Sequence, residues 1–489
     1  MLLNTESKLI FEYQETGAQN KRFIPASDVE IPDLAGFYGK ENMRAEEANL
    51  PNLSEIEVLR HYTNLSLKNF GVENGPYVLG SCTMKYNPKI NENMANLPGF
   101  AMTHPLQPVE TVQGNLELLA NLEQQLNAIL GMDAWTFQPA AGAHGELTGV
   151  MMIKQYHRKR GDDKRTVMLI PDAAHGTNPA SAAMAEFDVV EIKSNDKGLV
   201  DIEDLKSKLN DTVAGIMLTN PNTLGLFEEE CQEITELVHE AGGLCYYDGA
   251  NLNAIMMQAR PGDMGFDVVH LNVHKTFSTP HGGGGPGAGP VGVKDILKPY
   301  LPLPVVEKQG DKYTLNYDLP DSIGKVRAYT GSFAIFVRTY AYILAYGRKG
   351  LREVSEGAVA NANYLFKKVK DVYDAPLDRP VMHEFIITSK LQKEQNGITT
   401  LDIAKRLIDF GFHPPTIYFP LIVPEVMMVE PTETETLDGL NGLSDAYHKI
   451  AEEVLENPDI VREAPHKTPI SRPDEATAAR KPIVIYEEE

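Results

Sequence analysis

The feature that most constrains the fold is a series of short apolar segments that alternate with helical patterns after residue 133. The segments are "AWTFQ", "TVMLI", "FDVVEI", "AGIML" and "GLCYY", and each has the length and character of a buried strand. Helical patterns such as "HGELTGVMMIKQYH" and "EECQEITELVHEAG" lie between several of them. This alternation predicts an α/β fold, a mostly parallel, doubly wound sheet with helices on both faces. Ligands bind beyond the carboxyl ends of the strands in such sheets.

The sequence on either side of this region has a different pattern. "NLELLANLEQQLNAILG" predicts a helix with Gly131 as its C-terminal cap, and "EIEVLRHYTNLS" predicts another within a polar N-terminal stretch. "PYLPLPVVEKQG" indicates a linker or loop, and "SFAIFVRTYAYILAYG" predicts a helix. We therefore predict an arm that wraps a partner over residues 1–100, a large domain over 101–330, a smaller α+β domain over 331–465 and a tail over 466–489.

The overall charge excludes several classes of partner. The 489 residues carry a formal net charge of -23, which argues against nucleic acid and against anionic membrane surfaces. No segment has the apolar length of a membrane span, and the first residues lack the pattern of a signal peptide. The three cysteines, Cys82, Cys231 and Cys245, are sparse and have no metal-binding spacing. We expect a cytoplasmic protein without a metal site.

Three predicted strands are followed by residues of interest. Ala141, Gly142 and Ala143 follow "AWTFQ" and lead into a helix. Small residues at a helix start expose backbone N–H groups and the positive end of the dipole, which suits a phosphate; an ordinary tight turn is the commoner explanation. His175 follows "TVMLI", but a lone histidine is more often structural. Thr219 follows "AGIML" in a segment that indicates a turn, with ligand contact as the alternative.

Two further strand ends carry charged residues. Asp248 follows "GLCYY", where an unpaired acid would be costly to bury, so it needs a cation or caps the next helix. Lys275 ends an apolar run that begins at Val268, and a glycine-rich tract follows it. Most lysines are solvated surface residues. A lysine in a cleft loses proton affinity and becomes an amine that forms Schiff bases with carbonyl cofactors.

Together these strand ends predict a site for pyridoxal phosphate. The lysine would hold the aldehyde carbon, the aspartate would keep the pyridine nitrogen protonated, and the helix start would hold the phosphate. The glycines beside Lys275 would allow the lysine to move and the backbone to approach closely.

Six motifs resemble a known family. The motifs, which lie between about residue 70 and about residue 435, are "LGSCTMKYNP", "QPAAGAHGE", "AHGTNPAS", "DGANLNA", "HLNVHKTFSTPHGGGGPGAGPVGVK" and "MMVEPTETET". Together they resemble the glycine decarboxylase P-protein of the glycine cleavage system. Length and content are similar to the cofactor-bearing half of the split bacterial form, in which two homologous subunits share the work.

The resemblance implies a fold, a reaction and partners. The fold would be that of fold-type I, the aspartate-aminotransferase-like class of pyridoxal phosphate enzymes. The enzyme would decarboxylate glycine through an external aldimine and transfer the aminomethyl group to the lipoyl arm of the H-protein. The homologous subunit 1 would be its partner, with two copies of each. The alternatives are another fold-type I enzyme, such as an aminotransferase or a cysteine desulfurase, and a catalytically silent scaffold.

The resemblance also implies roles for single residues. Lys275 matches the Schiff-base lysine, Asp248 the partner of the pyridine nitrogen and His175 the residue stacked on the ring. Ala250 is expected beside the cofactor, and Thr330 in a region that reaches its phosphate. Single-chain members often carry serine where this chain has Ala141, so backbone N–H groups would be the phosphate donors here.

The segment "GSCTMK" supplies candidates for substrate contact. These candidates are Ser81, Cys82, Thr83 and Lys85. For Cys82 we favour packing over a redox role, because the lipoyl group supplies the redox chemistry. His383 and Glu430 are interpreted as pocket-wall or structural residues.

Overall fold

The computed structural model describes residues 8–13, 28–30, 32–46, 48, 50–51, 53–282 and 287–485. The described residues form two compact units. One comprises the described parts of residues 1–74 and 465–489, and the other comprises residues 75–464. The domain boundaries expected from the sequence stay predictions.

A seven-stranded sheet forms the centre of the larger unit. Its strands run in the order β1-β7-β6-β5-β4-β2-β3. The five from β2 to β6 pair in parallel, whereas β7 is antiparallel to both of its neighbours. The predicted mostly parallel sheet is confirmed, and each of the five predicted segments forms a strand. The strands are β1 (Ala134–Thr136), β2 (Val167–Pro171), β3 (Asp188–Ile192), β4 (Val213–Thr219), β5 (Leu244–Gly249), β6 (Val268–Leu271) and β7 (Val291–Val293).

Fifteen α-helices lie in the described residues. They are α1 (Leu34–Tyr38), α2 (Glu55–Ser66), α3 (Lys89–Ala95), α4 (Pro98–Ala101), α5 (Gln113–Leu130), α6 (Gly142–Lys159), α7 (Asn178–Met184), α8 (Ile202–Lys208), α9 (Cys231–Glu240), α10 (Phe333–Val369), α11 (Lys390–Asn396), α12 (Thr400–Asp409), α13 (Leu437–Glu456), α14 (Pro458–Arg462) and α15 (Glu475–Arg480). None of these helices has the combination of length and apolar character that crossing a membrane requires.

The helices predicted from periodicity are confirmed. Helix α5 ends at Gly131, which has φ 74° and so adopts the left-handed conformation of a glycine cap. Helix α10 begins at the predicted segment, and Gly347, at φ 58°, breaks its regular course where that segment ends. Alternating strand residues face opposite helices: Tyr247 packs in a core with α5, α9 and α10, and Tyr246 in a core with α6 and α7. Helices therefore cover both faces of the sheet.

Two smaller sheets complete the larger unit. Strands β8 (Val305–Gln309) and β9 (Lys312–Asn316) form a hairpin. The sequence prediction of a linker or loop over 299–310 is therefore wrong for its second half, because Gly310, at φ 61°, reverses the chain and pairs the two strands. Strands β10 (Phe385–Thr388), β11 (Thr416–Ile417) and β12 (Val426–Val429) form an antiparallel sheet in the order β10-β12-β11. Residues of α10, α12 and α13 pack against it.

Candidate active site

A cavity lies where the carboxyl ends of the parallel strands meet the small antiparallel sheet. From the large sheet, His175 follows β2, Thr219 ends β4, Asp248 lies in β5 and Lys275 follows β6. The other wall of the cavity is formed by residues outside the large sheet, namely Ser81, His383 and Glu384. The structure thus brings His175, Asp248, Lys275, Ala250 and Ser81, all predicted from the sequence, into one cavity.

The sequence suggested that Lys275 lies at the end of a strand, but in the structure it lies in the turn that follows β6. Strand β6 ends at Leu271, whose N–H donates to Pro290 O, and the chain then turns so that Lys275 N donates to Asn272 O at 2.9 Å. The side chain is buried, with 7% of its surface exposed. Among the described residues, no group accepts a hydrogen bond from Lys275 Nζ, so the amine is available to a ligand.

Asp248 lies within β5, not after it, and is held by a buried polar network. Asn178 Nδ2 donates to Asp248 Oδ2 at 3.0 Å, and Ala250 N donates to Oδ1 at 3.0 Å. His270 is opposite Asp248 in the neighbouring strand, with its Nε2 3.4 Å from Oδ1. Tyr246 Oη lies 2.6 Å from the other ring nitrogen of His270. Three of these contacts reach the carboxylate directly, and the hydroxyl of Tyr246 holds the ring of His270 in place. Together they fix the orientation of the carboxylate.

The surroundings of Asp248 keep its carboxylate ionised. Complete burial raises the pKa of Asp248, but the neighbouring imidazoles of His270 and His175 and the hydrogen bonds from Ala250 and Asn178 lower it further than burial raises it. The net result is a pKa below the usual value for aspartate. Asp248 is therefore an anion inside the protein at neutral pH.

A second buried acid, Glu146 on α6, supports the same network. It accepts hydrogen bonds from Thr177 Oγ1 at 2.6 Å, Asn178 Nδ2 at 3.1 Å and Ser181 Oγ at 3.0 Å. Asn178 thus links the two carboxylates. Glu146 was not predicted from the sequence, although an acid inside the apolar pattern of α6 was a usable signal.

His175 is an uncharged ring beside Lys275. Its backbone N–H donates to Thr219 Oγ1 at 3.1 Å, and its Nδ1 lies 2.9 Å from Thr177 Oγ1. Burial lowers the pKa of His175, and the nearby Lys275 lowers it further against the opposing effect of Asp248. The ring centroid is 6.0 Å from that of Phe419, which belongs to the segment between β11 and β12.

The predicted phosphate turn lies at the start of α6. Ala141 is the residue before the helix and forms no side-chain cap. A Cβ built on Gly289 would lie 2.1 Å from the backbone oxygen of Ala141, so glycine is required there. A Cβ built on Gly142 would lie 2.2 Å from Asn272 Oδ1 and would have to displace that side chain. Asn272 Oδ1 and His274 Nδ1 are buried without hydrogen-bond partners among the described residues. This corner of the protein can therefore accept a further polar group.

Other predicted residues lie elsewhere or are already bonded. Thr330 lines a different cavity, together with Trp135 and Gln138, so its phosphate contact stays a prediction. Lys85 Nζ is buried and paired with Glu433 at 2.7 Å. Ala143 is exposed on the first turn of α6. The predicted mobility of the glycine tract falls largely on residues 283–286, which lie outside the described residues.

Comparison with known proteins identifies the family. The model of the glycine cleavage system P-protein matches residues 29–314, and that of the glycine dehydrogenase C-terminal domain matches residues 354–468. A relative named "Probable glycine dehydrogenase (decarboxylating) subunit 2", from Caldanaerobacter subterraneus subsp. tengcongensis, is 59% identical over 485 residues, which is 99% of this chain and 100% of the relative. The chain belongs to the glycine cleavage system P-protein family.

Other P-protein relatives agree with this placement. A protein of the same name from Alkaliphilus oremlandii is 59% identical over 483 residues, 99% of each chain. The solved structure of a glycine decarboxylase P-protein in inhibitor-bound form matches with a TM-score of 0.71 at 20% identity, covering 86% of this chain and 95% of that chain. The resemblance found in the motifs, the fold-type I architecture and the assignment as an enzyme are confirmed.

Proposed function

We propose that this P-protein chain decarboxylates glycine with pyridoxal phosphate held on Lys275, and passes the aminomethyl group to the lipoyl disulfide of the H-protein. The observation that carries the proposal is the convergence of Lys275, Asp248 and His175 in one buried cavity. The family and the relatives named as glycine dehydrogenases support the reaction.

The residues of the cavity fit the cofactor. Lys275 offers an unbonded amine for the aldehyde, and the anionic Asp248 suits a protonated pyridine nitrogen. His175 offers an uncharged ring, and the start of α6 offers backbone N–H groups for the phosphate. When bound, pyridoxal phosphate supplies an electron sink for the bond that loses carbon dioxide.

The charges around the cavity favour loss of the substrate carboxylate. Lys275 is the sole lysine or arginine among the described residues that line it. The pKa of His383, which is completely buried, falls to about 3 through burial and the nearby Lys275, so its imidazole is neutral. A substrate carboxylate therefore meets no fixed cation on this side. The cavity therefore gives the ionised carboxylate little electrostatic stabilisation. Its loss as neutral carbon dioxide breaks no ion pair with the described residues on this side.

Asp248 and its neighbours act by positioning and by holding a proton. The carboxylate is anchored by Asn178 and Ala250, so a proton on a nitrogen placed against it stays there. The buried walls, among them Thr223 and His383, exclude water and keep these electrostatic effects strong.

The partner is a homologous subunit 1, with two copies of each chain. The relatives are named as subunit 2, which implies such a partner. Support comes from the N-terminal region, where Phe37, Leu50, Leu59 and Tyr62 are exposed apolar side chains. A cytoplasmic location, for which the free thiols of Cys82, Cys231 and Cys245 are favourable, also belongs to the proposal.

Borohydride reduction followed by peptide mass spectrometry tests the cofactor site. We expect the reduced cofactor on the peptide that carries Lys275. A label on Lys85 or Lys294 instead would refute the assignment. Formation of a keto acid from glycine, without carbon dioxide, would favour an aminotransferase.

Exchange of bicarbonate into the carboxyl group of glycine tests the partner. The assay compares this chain alone with the co-expressed pair, each with lipoylated H-protein. We expect activity from the pair and almost none from the lone chain. Equal specific activity would show that subunit 1 is dispensable.

A further inference from the structure

Two buried glutamates lie directly opposite each other at the end of the small antiparallel sheet. Glu384 immediately precedes β10, and Glu430 immediately follows β12. Since Phe385 pairs with Val429, the register places the two glutamates face to face. Oxygens of Glu384 and Glu430 and a ring nitrogen of His383 lie within 4.8 Å of one another.

Among the residues that the structure describes, each glutamate has hydrogen-bond donors but no ion-paired lysine or arginine. Ser81 N donates to Glu384 Oε2 at 2.9 Å. Thr83 N and Oγ1 donate to Glu430 at 3.1 and 2.5 Å, and Asn251 Nδ2 donates at 2.7 Å. Within the described chain, the basic side chain that comes within ion-pairing distance of either acid is His383, whose Nε2 lies 3.8 Å from Glu384 Oε1. His383 is neutral and carries no compensating charge.

Two carboxylates in this arrangement cannot both be ionised at neutral pH. Burial and the facing Glu430 raise the pKa of Glu384 to about 8. Burial also raises the pKa of Glu430, although Thr83 and Asn251 lower it in part. Glu430 accepts more hydrogen bonds than Glu384, from Thr83 and Asn251, and these stabilise its ionised form. The proton that the two glutamates share therefore lies on Glu384. Glu384 lines the cavity of Lys275, whereas Glu430 does not.

We propose that Glu384 is the acid that protonates the sulfur released when the aminomethyl group is transferred, and that Glu430 shares its proton. This inference rests on the proposed function. Glu384 is assigned as the catalytic residue because it lines the cavity of Lys275, where the sulfur would react. Glu430 is a positioning residue, because it acts through Glu384.

The protons and electrons of the reaction balance with this acid. Glycine enters with three protons on its ammonium group, and two remain on the nitrogen of the aminomethyl product. The electron pair of the broken bond to the carboxylate forms the new carbon–sulfur bond. The sulfur–sulfur bond breaks, its pair passes to the leaving sulfur, and this sulfur takes the proton of Glu384. The third proton of the next glycine ammonium group then returns to the ionised Glu384.

The other groups that face Glu384 do not offer this proton. His383 and His281 are neutral, because burial lowers the pKa of each. Burial raises the pKa of Cys82. Lys275 lowers the pKa of both glutamates by its charge, and it is the amine assigned to the cofactor.

A purely structural role is the competing explanation. Ser81 and Thr83 have φ values of 66° and 48°, a left-handed conformation that non-glycine residues rarely adopt, and the glutamates hold their N–H groups. Gln at position 384 still offers an oxygen to Ser81 N but cannot lose a proton. Glu384→Gln therefore separates the two roles.

The test uses the co-expressed two-subunit enzyme with pyridoxal phosphate and lipoylated H-protein, assayed from pH 6 to 10. We expect Glu384→Gln to lower kcat about 100-fold, as for loss of a general acid, with little change in the KM for glycine. The wild-type kcat should fall above pH 8, and the variant should lose this alkaline limb. Retention of the cofactor absorbance band and of the melting temperature shows that the variant is folded.

Two further variants keep the inference testable. In Glu430→Gln, Glu384 remains but loses the charge that faces it, so the alkaline limb should move to lower pH. Glu228→Gln is the matched control: Glu228 is buried outside the cavity, accepts the N–H of Val200 at 2.8 Å, and has a pKa raised to about 7 by burial. It should leave kcat and its pH profile unchanged.

The outcomes separate the two proposals. A wild-type enzyme that releases no carbon dioxide from glycine would overturn the proposed function. A wild-type enzyme that is active, together with a Glu384→Gln variant of normal kcat and unchanged alkaline limb, would overturn this inference alone. If Glu384→Gln fails to fold, an alkaline limb that does not move in Glu430→Gln overturns the inference in its place.

Discussion

Two sets of buried acids lie at the cavity of Lys275, which Asp248 and Glu384 line directly. They differ in charge, because Asp248 is an anion, whereas Glu384 and Glu430 share one proton. Asp248, in the parallel sheet, is 1% exposed and has a lowered pKa. Glu384 and Glu430, at the small antiparallel sheet, are 4% and 1% exposed and have raised pKa values. Burial is nearly equal in both places, so the neighbours decide. Both sets accept hydrogen bonds, but Asp248 also faces two histidines, whereas the glutamates face each other.

The difference gives the cavity two kinds of acid at one pH. An anion that holds a proton on a ligand nitrogen lies in the rigid sheet, and a protonated carboxyl lies across the cavity. Environments that push the pKa values of neighbouring acids apart indicate separate acid and base roles. Substitutions on either side of the cavity test this contrast.

Lys275→Ala should have the largest effect, since Lys275 lines the same cavity as Asp248 and Glu384 and carries the amine assigned to the cofactor. We expect loss of the covalently held cofactor and a fall in turnover of more than about 1000-fold, because no other lysine among the described residues lines the cavity. The cofactor absorbance band and steady-state turnover measure both changes. Lys294→Ala, which alters a lysine bonded to Gly131 O away from the cavity, is the control and should retain both.

Asp248→Asn should cost turnover about 100-fold or more while the cofactor stays bound. A neutral amide no longer favours a proton on the ligand nitrogen. Turnover and cofactor content of the purified variant provide the measurement. Asp267→Asn serves as control, because Asp267 is buried but bonds His239 and Cys245 N outside the cavity. Near-normal turnover of Asp248→Asn would contradict the role given to the anion.

The stability of the protein should respond to pH in opposite ways on the two sides. The folded-state pKa of Glu384 is raised to about 8. Its contribution to the free energy of unfolding is therefore fully present below pH 4.5 and is lost as the pH rises towards 8. The free energy of unfolding should fall less between pH 5 and pH 8 in Glu384→Gln than in the wild type, by about 1–3 kcal/mol. This follows because a shift of one pKa unit corresponds to about 1.4 kcal/mol. Urea unfolding at both pH values measures it, and identical slopes in wild type and variant would contradict it.

The complementary case is Asp248, whose folded-state pKa is lowered. Its contribution to the free energy of unfolding is present above pH 3.8 and is lost as the pH falls below that value. Asp248→Asn should therefore show a smaller loss of unfolding free energy on acidification than the wild type. Urea unfolding at pH 3 and pH 6 tests this expectation.

Tyr246→Phe should have the smallest effect. It removes the hydroxyl that lies 2.6 Å from His270 and leaves the ring, so His270 supports Asp248 less firmly. We expect a fall in turnover of about 3- to 10-fold, about 1 kcal/mol for one hydrogen bond. Tyr247→Phe is matched in sequence and burial but faces the other side of the sheet, and its turnover should be normal. Equal effects in both variants would point to general loss of packing.

The sequence by itself predicted the large sheet and its ligand end. Alternating apolar segments and helical patterns require a parallel sheet, and the ends of its strands then lie side by side. Asp248, His175 and Lys275 were found for this reason, because local order along the chain gives their positions. The hairpin of β8 and β9 was missed, since a short amphipathic strand with few buried residues resembles a loop.

Only the tertiary structure decided the charge of the buried acids. Glu384 and Glu430 are 46 positions apart in the chain, and their neighbours Ser81 and Thr83 are some 300 positions away. No local pattern shows that two acids will face each other, because pairing across an antiparallel sheet depends on register. The sequence names the acids and their strands, but the Coulomb energy between them depends on a distance that exists only after folding.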